Sequence, residues 1–160
     1  MANMDNFTSD EWWQLKHAPL AIAMYVSGAD ARTGPIGTIK ELSAPFNAAN
    51  KDIAGAPAGS LLLDLLNEWV TLLGARAEDE TPRIGAGADL LAFITNIGKL
   101  LDAKAPQKEA LAVKHWLGRA ARLTAEAGRE GAVLGIGGEK VSDAEYKALS
   151  EVGLALGVTI

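Results

Sequence analysis

Apolar residues recur every three or four positions along most of this chain, the spacing that lines one face of an α-helix. The first run follows Thr8-Ser9-Asp10-Glu11, a capping box in which the Thr8 hydroxyl accepts from a free backbone N–H and Glu11 reaches back. Its apolar positions are Trp12, Leu15, Pro19, Ile22 and Val26, and it ends at Gly28. Pro19 lacks a backbone donor, which predicts a kink or a division into two helices. Pro35 suits the first turn of a second helix, predicted to run to about Lys51 with a bend or break near Ala44 imposed by Pro45.

The connector AGAPAGS (54 to 60) leads into a third helix ending at Gly74, with a broad stripe of Leu62, Leu65, Leu66, Trp69, Leu72 and Leu73. That stripe predicts the helix at the centre of the core. The polar run ARAEDETPRIGAGA (75 to 88) reads as the longest surface loop. A fourth helix is predicted from about Ala88 to Asp102, with Leu90, Leu91, Ile94, Ile97 and Leu101 facing inward. The fifth runs from Pro106 to Gly128 on a face of Leu111, Trp116, Ala120, Leu123 and Ala127. The last starts at Ser142, where Ser-Asp-Ala-Glu145 forms a second capping box, and closes with LALG. The sole strand candidate, Ala132 to Ile136, is too short and glycine-bound to found a sheet. These elements predict an all-α fold, a compact bundle of about six helices in one domain spanning residues 1 to 160.

Two stretches echo each other. Residues 12 to 45 hold Trp13, Leu15, Ala18 and Pro19, then GPIG (34 to 37) and Leu42; residues 115 to 150 hold Trp116, Leu117, Ala120 and Ala121, then GIGG (135 to 138) and Leu149. The intervals agree to within a residue or two. They suggest two pseudo-repeated helix-loop-helix units, against the alternative that Ala- and Gly-rich helical chains produce such echoes by accident.

Composition narrows the function classes. With 49% hydrophobic and 22% charged residues in 160, the chain is outside the regime of disorder and long enough to bury a sizeable core. A net charge of -5 argues against binding the phosphate backbone of nucleic acid, which needs clustered Lys and Arg. Without cysteine there is no disulfide, thiol nucleophile or thiolate metal site. The opening MANMDNFTSDEWW carries two aspartates and one glutamate where a secretory leader has a basic region and an apolar run. The most apolar window, SLLLDLLNEWVTLLG (60 to 74), is interrupted by Asp64, Asn67 and Glu68 and falls short of the ~20 residues a membrane span needs. The expectation is a cytoplasmic protein with no membrane span.

Three constellations are candidates for chemistry. GIGGEK (135 to 140) has glycines and Lys140, which suit a phosphate, but lacks GxxxxGK[ST] and GxGxxG; its simpler role is a turn. The acidic residues around the two glycine loops, Asp30 and Glu41 with Glu139, Asp143 and Glu145, supply oxygens of the kind that bind a divalent cation, though without an EF-hand pattern. Helix capping accounts for the same residues. His17 and His115 stand in neither H-x-x-x-H nor E-x-x-H spacing, and both are expected at the surface or partly packed. No G-x-S-x-G occurs, so nothing nominates an enzyme or a resident cofactor. Trp12 and Trp13 stand about 100° apart on their helix. One therefore packs inward while the other is a candidate contact for a partner subunit or for the chain terminus, and a protein partner or homo-oligomer is expected.

The segments WWQLKHAPLAIAMYVSGADARTGPIGTIKEL and GGEKVSDAEYKALSEVGLALGV resemble the TerB-like family of small helical proteins linked to tellurite resistance. The resemblance rests on Ala29, Asp30 and Glu41 in the first segment and on Ser142, Glu145, Leu149 and Leu156-Gly157 in the second. Asp30-Ala31 replaces the Asp-Gly pair frequent in that family. The resemblance implies an all-helical cytoplasmic module of a stress-response system, acting through assembly or ion binding rather than catalysis.

Overall fold

The computed structural model describes residues 2–29, 48–49, 51–74, 84, 88–127 and 141–160. Five long helices run through them: α1 (Ser9–Ser27), α2 (Leu61–Gly74), α3 (Ala88–Lys104), α4 (Gln107–Ala127) and α5 (Asp143–Leu156). Short 3-10 turns occur at Met4–Asn6 and Ile53–Gly55, and no strand occurs among the described residues. The fold is all-α. Of the helix predicted from Pro35, residues 48, 49, 51 and 52 are described and helical; the break near Ala44 and both glycine loops of the internal echo lie outside the described residues.

Local chemistry sets the helix ends. Thr8 Oγ1 accepts from the Glu11 amide at 3.3 Å, and Glu11 Oε2 accepts from the Thr8 amide at 2.7 Å. The same reciprocal pair starts α5, where Ser142 Oγ accepts from the Glu145 amide at 3.2 Å and Glu145 Oε2 from the Ser142 amide at 2.8 Å. At the far end of α5, Gly157 adopts φ 72°. The Val158 amide then reaches the Gly153 carbonyl at 2.9 Å, and the Gly157 amide the Leu154 carbonyl at 3.2 Å. That double closure is the Schellman motif, and only glycine enters it without strain. Ser60 begins α2 by accepting from the Leu63 amide, and Glu109 of α4 completes the cap by accepting from the Leu61 amide at 3.2 Å.

The central helix is α1, not the leucine-rich α2. All residues from His17 to Ala23 are buried, and α1 packs against each of the other four helices. A helix apolar on one stripe has a solvent face, whereas one whose small and apolar residues go all the way round can be enclosed. Ala18, Ala21 and Ala23 make that enclosure compact. Helix α2 is the one-faced kind: it buries Leu61, Leu65, Leu66 and Trp69 and exposes Asn67 and Thr71. Pro19 sits inside a single continuous α1, so the predicted division into two does not occur. The enclosing helices hold the segment despite the missing donor, a defect of roughly 3 kcal/mol in an unsupported helix.

Two further expectations shift. Leu111 is exposed, because α4 turns Ala110, Val113, Leu117, Ala121 and Thr124 inward, and this i, i+3, i+4 series leaves Leu111 on the outer side. His17 is fully buried rather than at the surface. Its Nδ1 lies 2.7 Å from the Trp13 carbonyl oxygen, which only accepts, so Nδ1 carries the hydrogen. Within the polar run from 75 to 88 the described residues are Ile84, whose side chain is buried in the core, and Ala88, which already begins α3.

Helices α3 and α5 approach closely at Gly98. A Cβ on Gly98 would stand 2.6 Å from the Ala155 carbonyl oxygen and 3.2 Å from the Leu156 Cα. Gly118 is different, since its added Cβ would meet a side chain rather than backbone, with Ile160 Cγ1 at 3.0 Å and Cδ1 at 3.4 Å. Gly98→Ala should therefore lower the unfolding free energy in urea by about 1–3 kcal/mol, the overpacking cost outweighing the gain in helix propensity. Gly118→Ala should change it by much less; equal effects would show that the α3–α5 approach is not tight.

An ion pair joins the start of α1 to the end of α3: Lys104 Nζ lies 2.5 Å from Glu11 Oε2. The lysine bond, followed by the Thr8 amide, lowers the Glu11 pKa from its ordinary 4.5. A carboxyl so lowered stabilises the fold fully above that ordinary value and ceases to do so as pH falls through the lowered one. Lys104→Met should accordingly destabilise the protein at neutral pH and converge with the parent in strong acid. A difference independent of pH would exclude the ionised pair as its cause.

Candidate functional site

A cleft of about 420 Å³ opens between the C-terminal turns of α1 and the first half of α5. Helical spacing builds both walls. Met24, Tyr25, Gly28 and Ala29 come from the end of α1, and Ala144, Lys147, Ala148 and Glu151 fall at i, i+3, i+4 and i+7 along α5. Leu90, in the first turn of α3, completes the lining. Glycine and alanine keep the walls low, and polarity is concentrated in three side chains.

Those three are linked. Tyr25 Oη donates to Glu151 Oε2 at 2.6 Å, joining residues 126 positions apart. Lys147 Nζ lies 3.9 Å from Glu151 Oε1, one helical turn away along α5. The lysine side chain is 78% exposed and the glutamate 34%, so this pair is screened and weak. Burial first, then the bond to Glu151 and its negative charge, push the Tyr25 phenol up to about 12. The phenol is thus a neutral donor at physiological pH. The tyrosine therefore offers a hydrogen-bond donor rather than a base at that position.

A second, shallower depression of about 450 Å³ lies on the other part of α1, lined by Asp10, Trp13, Gln14, Phe93 and Asn96. Trp13 stacks on His17 with ring centroids 4.2 Å apart and meets Phe93 edge-on at 6.3 Å. Gln14 Oε1 accepts from Asn96 Nδ2 at 2.6 Å along its rim.

The residues nominated from sequence are distributed as follows. Trp12 is buried in the core beside Phe7, with centroids 6.0 Å apart, and Trp13 is half-buried. The 100° separation thus sends one ring inward and leaves part of the other at the surface. Asp143 is exposed in the first turn of α5, while Glu145 is buried and its carboxylate closes the capping box. Asp30, Glu41 and Glu139 lie outside the described residues, as does GIGGEK with Lys140. Among the described residues no group of three or more histidine and carboxylate side chains is placed to hold a metal ion. His115 is exposed on α4.

Sequence reasoning did not reach Tyr25, Lys147 and Glu151. The Lys147–Glu151 spacing was a readable signal; the partner in α1 was not, because nothing local connects it to α5. Searches against family models, curated proteins and solved structures return no match.

In a Tyr146→Phe background, which leaves Tyr25 as the single tyrosine, tyrosinate absorbance should rise with a midpoint near 12 rather than 10. Because the folded pKa is the higher one, the associated stability is complete below pH 10 and is lost between there and 12. Adding Glu151→Gln should lower the midpoint without restoring the ordinary value, since burial is the larger cause. An unshifted midpoint before that addition would contradict the buried, hydrogen-bonded phenol.

Proposed function

We propose that this chain is a non-catalytic helical interaction module of TerB-like type, working through self-association in a cytoplasmic stress-response system of the tellurite-resistance kind. The observation that carries the reading is the outer face of α5. Tyr146 is 58% and Leu154 82% exposed, with Ser150 between them at the same four-residue interval, so an aromatic and an aliphatic side chain project along one line. This line runs beside the residues of the α1–α5 cleft. Burying Leu154 in a contact contributes about 1.5–3 kcal/mol, enough for a few such side chains to sustain a reversible assembly. The resemblance of the two sequence segments to the TerB-like family supplies the biological setting.

The contact is assigned to α5 rather than to Trp12, whose side chain fills the core. Removing the Trp12 ring would cost on the order of 3–5 kcal/mol of folding stability and would say little about association. Light scattering over a range of concentrations tests the reading. The parent should exceed the 16.7 kDa of one chain as concentration rises. Leu154→Glu should remain at that mass with an unchanged melting temperature. A parent that stays at the single-chain mass throughout overturns self-association, and equal assembly by the variant removes it from this face.

A further inference from the structure

We propose that the α1–α5 cleft binds a small organic cation, an ammonium group carried on a compact apolar body. This goes beyond the interaction reading and does not depend on it, because the cleft lies within one chain.

Size is the first argument. A volume of about 420 Å³ falls within the range of small-molecule sites. Met24 and Leu90 offer apolar surface, and the methionine thioether adapts to irregular shapes. Gly28, Ala29, Ala144 and Ala148 leave the space beside them open.

The sign of the ligand follows from the hydrogen-bond capacity of the polar trio. A carboxylate offers about four acceptor positions and donates nothing when ionised. Tyr25 fills one of them on Glu151 Oε2. Lys147 stands 3.9 Å from Oε1, beyond hydrogen-bond reach, with its side chain largely in solvent. Among the described residues, Glu151 is therefore a half-buried carboxylate with acceptor positions still to fill. Tyr25 has given its hydrogen to Glu151, so the free capacity of its oxygen is also as an acceptor. An ammonium supplies two or three donors to these oxygens and forms a charge-assisted bond with the carboxylate. A carboxylate or phosphate ligand would instead meet the Glu151 charge, with exposed Lys147 the cation to offset it among the described lining residues. The net charge of -5 raises the local concentration of cations further. Lys147 is the resident competitor, and its weak, exposed pairing makes it easy to displace.

Matched probes with one apolar body separate the alternatives: 2-phenylethylamine, 2-phenylethanol and phenylacetate, each titrated into the full chain and followed by amide NMR shifts. The amine should bind at millimolar concentration or better and shift Gly28, Ala144 and Ala148, with the alcohol and the acid at least tenfold weaker. Glu151→Gln should remove the preference for the amine over the alcohol. Lys147→Met, at an exposed position that leaves the fold intact, should tighten amine binding several-fold. Binding of the acid as strongly as the amine overturns the proposal, as does the absence of any shift at the cleft with the probe at about 10 mM. Weaker amine binding in Lys147→Met overturns it too.

Discussion

The structure depends on enclosing one helix on all sides. Helix α1, like α4, touches each of the other four long helices, and its middle turns, from His17 to Ala23, are buried throughout. Such a helix has no solvent face to which it could turn a misplaced polar group, so the sequence there is alanine, leucine, isoleucine and proline with one histidine. The histidine is accommodated because its Nδ1–H has the Trp13 carbonyl and its ring has the Trp13 indole. Enclosure also explains how Pro19 is tolerated, since the packing of four neighbours fixes the axis where the hydrogen-bond ladder is interrupted.

The cleft is a consequence of how α3 spaces α1 and α5. Helix α3 packs extensively on both. At Gly98 it approaches the Ala155–Leu156 backbone so closely that a methyl group does not fit. About two turns earlier, where Leu90 replaces that close contact, the helices line an open space instead. The polar trio then sits between a tight backbone crossing and a capped helix start. Both are rigid features, so Tyr25 and Glu151 are held in register although they come from distant parts of the chain.

How much of this was readable in the sequence follows from the range of the interactions. Both capping boxes were legible because Thr8 with Glu11, and Ser142 with Glu145, act over three residues. The extents of α3 and α4 were legible from apolar periodicity to within two residues. The central helix was not. Leucine-rich α2 carries the stronger apolar stripe, while α1 achieves its burial through alanines that pack closely and weigh little on a hydrophobicity scale. Leu111 was misplaced for a related reason: the phase of α4 is fixed by Val113, Leu117 and Ala121 together, and a lone leucine does not set it. The site was the least legible part, because Tyr25 and Glu151 meet only after α1 and α5 have packed.

The central claim, that α1 and not α2 is the core strut, is tested most directly by native-state hydrogen exchange. Amides from Leu20 to Val26 should exchange only through global unfolding, more slowly than those from Leu65 to Trp69 in α2. Faster exchange in α1 than in α2 would contradict the enclosed central helix and, with it, the frame that holds the cleft.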